Sequence, residues 1–186
     1  MPKPTSRAPA LKAKPQTSNI PDANPSDVVS IDAIITAAYD VISGPAGKKR
    51  DWARERSLFF PGARLTPTAV EAGRNDCNLA PQMLDVENYI ARVEPLIEKK
   101  GFYEKEIARR VEQFGQIAHV WSTYESRHDL RDPEPFMRGI NSIQLFNDGK
   151  RWWIVSIYWQ HESDKYPVPA KYLLAGNQET KRTETN

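Results

Sequence analysis

Residues 151–161 read Arg-Trp-Trp-Ile-Val-Ser-Ile-Tyr-Trp-Gln-His, and this stretch carries two apolar alternations on one predicted strand. Successive side chains of a strand point to opposite faces of its sheet. One face is therefore expected to present Trp152, Ile154 and Tyr158, and the other Trp153, Val155, Ile157 and Trp159. We expect the first face to line an interior beneath helices of the same chain. The second face then has apolar surface of its own to bury.

This second face predicts an assembly. Its four side chains, with Trp121 on a neighbouring predicted strand, form an apolar patch that stays in water unless another molecule covers it. Burial of apolar area contributes roughly 25 cal/mol per Å², so hiding several such side chains favours association by several kcal/mol before entropic costs. We therefore expect a homodimer with an interface formed by Trp121, Trp153, Val155, Ile157 and Trp159. In the alternative, the C-terminal segment of the same chain covers this patch.

Composition excludes several classes of function. The chain has 186 residues, 39% of them hydrophobic, and a net charge of +2, which fits one ordinary globular domain. Much of the excess positive charge lies near the two ends, so the body is close to neutral and no nucleic-acid partner is indicated. No stretch approaches the roughly 20 apolar residues that span a bilayer, so no membrane partner is expected. The single cysteine, Cys77, excludes an internal disulfide framework, and the histidines show no metal-ligand spacing. We expect neither a metal nor a cofactor.

The chain divides into three parts. Residues 1–25 are rich in proline and lysine, with almost nothing large and apolar, and are interpreted as a disordered arm. They also lack the apolar core of a secretory signal, so a cytoplasmic location is expected. Residues 26–163 form the predicted domain. Residues 164–186 are a mostly flexible tail, of which only Tyr166 to Leu174 is expected to dock.

Periodicity within the domain predicts an α+β fold, with helices first and long strands afterwards. Apolar residues at helical spacing, with caps and stop signals, predict three helices at about 28–42, 51–59 and 84–100. From Phe102 the period changes to two, which predicts strands at about 102–114, 115–127, 138–147 and 150–161. One or two short strands are expected within residues 62–82.

This order of elements, and several local segments, resemble the nuclear transport factor 2-like (NTF2-like) superfamily, which includes SnoaL-type polyketide cyclases, ketosteroid isomerase and scytalone dehydratase. The similar segments are residues 58–65 (LFFPGARL), 101–104 (GFYE), 118–125 (AHVWSTYE), 139–145 (GINSIQL) and 148–154 (DGKRWWI). The resemblance to bacterial, SnoaL-like members covers residues 27–161. It implies a cone: three N-terminal helices packed on a strongly curved mixed or antiparallel sheet, with an internal pocket and pairing through the outer face.

The resemblance implies a small hydrophobic pocket. Aromatic or polar residues on the predicted inner faces are expected to line it, namely Tyr39, Trp52, Phe59, Tyr89, Tyr124, Asn141, Trp152 and Tyr158. The charged residues at the start of the first long strand mix both signs, and that pattern is interpreted as a solvated or interface-rim strand.

Three functions remain open at this point. The first is a homodimeric protein that binds a small apolar molecule. The second is an isomerase, dehydratase or cyclase in which His119 or Asp32 transfers a proton and Tyr39, Tyr89 or Tyr124 donates hydrogen bonds. The third is a protein-interaction module whose tails reach a partner. A buried titratable group within hydrogen-bond reach of a tyrosine would favour the enzyme.

Overall fold

The computed structural model describes residues 20–69 and 80–174. Cys77, most of the predicted arm and the end of the tail lie outside these residues. The described elements confirm the α+β class, with helices preceding and interrupting a six-stranded sheet. Among the described residues, no helix is long and apolar enough to cross a membrane.

The described residues form four α-helices, each of which begins at a capping residue. They are α1 (Pro25–Val28), α2 (Ile31–Ile42), α3 (Trp52–Leu58) and α4 (Val86–Lys100). The side chains of Ser30, Asp51 and Asp85 accept backbone N–H groups at the starts of α2, α3 and α4, at 3.1, 2.9 and 2.8 Å. The first predicted helix is thus two helices, because Ser30 starts a new one. Gly101, with a φ of 74°, ends α4.

The sheet is mixed. Its strands are β1 (Phe59–Ala69), β2 (Ala80–Pro81), β3 (Tyr103–Phe114), β4 (Ile117–Arg127), β5 (Met137–Asn147) and β6 (Trp152–His161). Their order is β2-β1-β6-β5-β4-β3, with β1 parallel to β6 and all other neighbours antiparallel. β1 begins directly at the end of α3 and is longer than the short strands expected there.

A β-bulge in β6 decides which side chains face the interior. Gln144 and Leu145 are consecutive on β5, but they pair with Ser156 and Ile154, so Val155 is an extra residue. A bulge reverses the alternation beyond it, because the side-chain period of a strand is two residues. Before the bulge Trp152 and Ile154 are buried. Beyond it the interior side chains belong to the opposite alternation.

The core lies between the helices and the concave face of the sheet. Its fully buried side chains come from α2, α3 and the inner positions of the strands, and include Ile34, Ile35, Leu58, Val120, Leu145 and Ile154. On the convex face, the C-terminal segment contacts β4. The Tyr172 ring lies 5.5 Å from the Trp121 ring, and Thr123 Oγ1 donates a 2.6 Å hydrogen bond to the Tyr172 carbonyl. Part of the outer face is therefore covered by the chain itself.

Candidate functional site

A cavity of about 340 Å³ lies between the helices and the concave sheet face. Most of its lining side chains are apolar. Its helical wall is formed by residues of α2, α3 and α4: Ala38, Tyr39, Ile42, Glu55, Tyr89, Val93, Leu96 and Ile97. Its sheet wall is formed by inner-face residues: Phe59, Leu65, Glu104, Tyr124, Asn141, Ile143, Ile157 and Trp159. This volume lies within the range of about 300–1,000 Å³ that is usual for small-molecule sites.

Glu104, on β3, places a carboxyl group in this mainly apolar cavity. Ser126, its cross-strand partner on β4, donates a 3.0 Å hydrogen bond to Glu104 Oε2. The enclosed position disfavours the charged form and raises the pKa of Glu104 to about 7, although hydrogen bonds from Ser126 and Asn141 oppose this shift. Near neutral pH this carboxyl is therefore able both to accept and to donate a proton.

Tyr124, on β4, lies beside this carboxyl. Its side chain is almost completely buried, and its hydroxyl has no hydrogen-bond partner among the described residues. Burial, together with the charge of Glu104, raises the pKa of this phenol, so the hydroxyl keeps its proton. Gly139 makes room for it, since a Cβ at that position would lie 2.6 Å from the Tyr124 hydroxyl oxygen and 2.5 Å from the Gln160 carbonyl oxygen.

A chain of hydrogen bonds leads from the cavity to the surface. Asn141 Nδ2 donates to Tyr39 Oη at 3.0 Å, and Tyr39 Oη lies 2.6 Å from Ser122 Oγ. Ser122 donates in turn to Glu106, which Arg109 also binds. Because each hydroxyl has one proton, Tyr39 donates to Ser122. These hydrogen bonds hold the side chains of Asn141 and Tyr39 in fixed orientations in the cavity wall.

Glu55, on α3, is the second cavity carboxyl. Its side chain is 3% exposed, and its Oε2 has no hydrogen-bond partner within the described part of the chain. Burial raises the pKa of Glu55 to about 8, against the opposing effect of Arg54 and Arg56. Burial raises the pKa of Tyr89, on α4, well above its usual value, and the charges of Glu55 and Glu104 raise it further.

The cavity extends to an aromatic cluster near the end of α4. His128 stacks on Phe136, with ring centroids 4.1 Å apart, and Phe102 packs against Phe136 at 6.2 Å. His128 Nδ1 lies 3.1 Å from the carbonyl oxygen of Gly101, which fixes the imidazole ring. These residues, with Lys100 and Met137, complete the lining.

The structure brings together five of the predicted pocket residues: Tyr39, Phe59, Tyr89, Tyr124 and Asn141. The other three lie elsewhere. Trp52 joins α3 to α4, because its Nε1 donates to Glu94 Oε1 at 2.7 Å. Trp152 is buried in the core away from the cavity, and Tyr158 is 46% exposed on the outer face.

The structure corrects the predicted positions of two residues of the dimer interface. Ile157 and Trp159 line the cavity rather than the outer face, and Trp159 packs edge-on against Tyr89 at 6.1 Å. The bulge at Val155 is the physical reason, since it exchanges the faces of all later β6 residues. Trp153 and Val155 do lie on the outer face, with Trp121 of β4.

The two predicted proton-transfer residues are also placed outside the cavity. His119 lies on the outer face, with its Nε2 2.9 Å from Ser142 Oγ and its ring 4.7 Å from the Trp121 ring. Asp32 is at the surface, where its carboxylate pairs with Arg109. The geometry therefore transfers the candidate acid–base role to Glu104 and Glu55.

Both carboxyls were missed from the sequence for identifiable reasons. Glu55 precedes Leu58 and Phe59 by three and four residues, which places it on their helix face, but a glutamate between two arginines, Arg54 and Arg56, is usually exposed to solvent. Glu104 lies among charged residues of both signs, which indicated a solvated or interface-rim strand. A second bulge, in β3, where Glu106 and Ala108 pair with the consecutive residues Tyr124 and Thr123, also exchanges the two faces of this strand.

Comparisons with known proteins bear on the fold. No family model and no curated protein matches the sequence. A protein of unknown function with a cystatin-like fold from Nostoc punctiforme is 10% identical, with a TM-score of 0.52, covering 73% of this chain and 91% of its own. Kfla4162 from Kribbella flavida is also 10% identical, with a TM-score of 0.53 and coverage of 73% and 90%. An NTF2-like protein of unknown function from Silicibacter pomeroyi is 16% identical, with a TM-score of 0.49 and coverage of 72% and 94%.

At these identities the similarity concerns architecture and not activity. The chain has a cystatin-like α+β fold, and the α+β class predicted from its sequence is confirmed.

Proposed function

We propose that the protein binds a small, mainly apolar molecule in the cavity between its helices and its sheet. One observation carries this proposal: a 340 Å³ space with mostly apolar walls also contains a few fixed polar groups, among them Glu104, Tyr124 and Asn141. Small-molecule sites combine these two properties, because apolar walls supply affinity and a few polar groups fix orientation.

The neutral fluorescent probe N-phenyl-1-naphthylamine tests this proposal. Its emission increases in an apolar environment, and Ala38→Phe should abolish the increase by filling the cavity from α2. Ala91→Phe, on the exposed side of α4, is the matched control and should keep it. Equal signals from both variants would place binding outside the cavity, and no signal from the unaltered protein would refute the proposal.

Proton-transfer catalysis is the second candidate function, and Glu104 favours it. With a pKa of about 7, its carboxylate is able to remove a proton from a carbon next to a carbonyl group. The protonated phenol of Tyr124, whose hydroxyl has no hydrogen-bond partner among the described residues, is the candidate donor to the carbonyl oxygen. This chemistry belongs to the isomerase, dehydratase or cyclase class.

Deuterium exchange into 2-tetralone in D₂O, followed by proton NMR, tests this chemistry without a known substrate. Exchange should accelerate as the pH rises through about 7, where Glu104 ionises. Glu104→Gln should remove the acceleration, while Glu112→Gln at an exposed position of the same strand should not. A rate equal to that of buffer would exclude this activity for ketones of this kind.

We also propose a homodimer through the outer sheet face. Phe60 contacts Phe146 and Trp153 on this face, with ring centroids 6.0 and 5.8 Å apart, and Val155 and Tyr158 are partly exposed. The proposed interface centres on β5 and β6, since Tyr172 covers Trp121. Tyr158→Glu should shift the mass measured by light scattering from dimer to monomer, and Val29→Glu, exposed away from the sheet, should not. A monomeric unaltered protein would refute the dimer.

A further inference from the structure

Two residues that line the cavity each have a buried polar atom with no hydrogen-bond partner in the described part of the chain. Three buried side-chain atoms lack a hydrogen bond among the described residues, and two of them, Glu55 Oε2 and Tyr124 Oη, belong to residues that line the cavity. Both side chains are at least nine-tenths buried, at 3% and 1% exposed. Buried polar groups are nearly always paired in folded proteins, so these two require an explanation.

The two atoms lie on different walls. Glu55 belongs to α3 on the helical side, whereas Tyr124 belongs to β4 on the sheet side. The rest of the lining is mostly apolar and includes Ile143, Ile157 and Trp159. A molecule that spans the cavity would therefore meet one polar group on each wall and apolar side chains elsewhere.

Both groups favour an uncharged oxygen as their partner. The Tyr124 hydroxyl keeps its proton and donates. Glu55 is mostly protonated near neutral pH, so it also donates, and an anionic ligand group would face Glu104 as well. Hydroxyl and carbonyl oxygens accept such hydrogen bonds without introducing a buried charge.

We propose that the ligand is a small apolar molecule with two oxygen-bearing groups, one bonded to Glu55 on the helical wall and the other to Tyr124 on the sheet wall. This inference rests on the proposed binding function and specifies its ligand class. Each ligand oxygen would satisfy one of the two unpartnered atoms. A molecule with one such group would leave the second atom unpaired.

Isothermal titration with 1-octanol and 1,8-octanediol tests this, because the two probes share a flexible chain and differ in one terminal hydroxyl. The measured quantity is the ratio of the diol affinity to the octanol affinity. Tyr124→Phe and Glu55→Met should each lower this ratio about tenfold, since one diol hydroxyl then remains buried without a partner. Tyr166→Phe and Glu112→Met, at exposed positions outside the cavity, are matched controls and should leave it unchanged.

The outcomes separate the two proposals. A ratio that stays constant in either cavity variant overturns the two-group ligand but leaves cavity binding intact. Octanol binding without detectable diol binding would also overturn the two-group ligand and leave cavity binding intact. If neither alcohol binds the unaltered protein, both proposals fail.

Discussion

Glu55 should make the protein less stable as the pH rises, and Glu55→Gln should remove this effect. In the native protein its carboxyl has a pKa of about 8, whereas an ordinary glutamate ionises near 4.5. Between these values the native state holds a proton that the unfolded chain has released. The free energy of unfolding therefore falls with rising pH across this interval and levels off above pH 8.

The size of the effect follows from proton linkage. One extra bound proton corresponds to a slope of roughly 1.4 kcal/mol per pH unit, so Glu55 alone can lower stability by on the order of 3 kcal/mol between pH 5 and 8. Glu104, with a pKa of about 7, adds a similar slope in the lower part of this range. Between pH 7 and 8 the change in stability comes mainly from Glu55, because Glu104 is already more than half ionised in the native protein.

Urea unfolding, followed by tryptophan fluorescence at pH 5, 6, 7 and 8, measures this dependence. In Glu55→Gln the unfolding free energy should decrease less steeply with pH, by the equivalent of about one bound proton. Between pH 7 and 8 the unfolding free energy of this variant should be nearly constant. Glu112→Gln removes a carboxylate from an exposed position and serves as the control. If Glu55→Gln and the unaltered protein show parallel curves, Glu55 is not a buried neutral acid.

Three further predictions concern the cavity and its support. Tyr124→Phe should raise the unfolding free energy of the ligand-free protein by about 1 kcal/mol, because it removes a buried hydroxyl without a partner, and a loss of stability would show that the hydroxyl is paired. Gly139→Ala should cost about 2 kcal/mol or more in urea unfolding, because its Cβ meets a carbonyl oxygen at 2.5 Å, and an unchanged midpoint would contradict the tight packing. Arg50 donates to the carbonyls of residues 42 and 44 at 2.9 and 2.6 Å, so Arg50→Met should destabilise by about 3 kcal/mol, unlike Lys49→Met at the exposed neighbouring position. Equal unfolding midpoints for these last two variants would refute the role of Arg50.

The long elements were predictable because their periodicity extends over many residues. Helix α4 and strands β3 to β6 lie close to their predicted bounds, since caps, Gly101 and the Asp148-Gly149 turn mark their ends. The split between α1 and α2 was missed because the apolar spacing continues across Ser30. The length of β1 was missed because Pro61 and Gly62 resemble a loop in sequence.

The two faces of the sheet were less predictable, because alternation identifies a face only while the strand stays regular. One extra residue at Val155 moved Ile157 and Trp159 into the cavity and Tyr158 out of it. The bulge in β3 likewise turned Glu104 inward. A bulge depends on pairing with the neighbouring strand, so one strand's sequence does not reveal it.

A crystal structure of the protein with N-phenyl-1-naphthylamine would show whether the cavity is the binding site. We expect the probe between the helices and the concave sheet face, in contact with Trp159 and Ile143 and within reach of Glu104. A probe bound instead on the outer face beside Phe60 and Trp153, with the cavity closed by its own side chains, would contradict binding in the cavity.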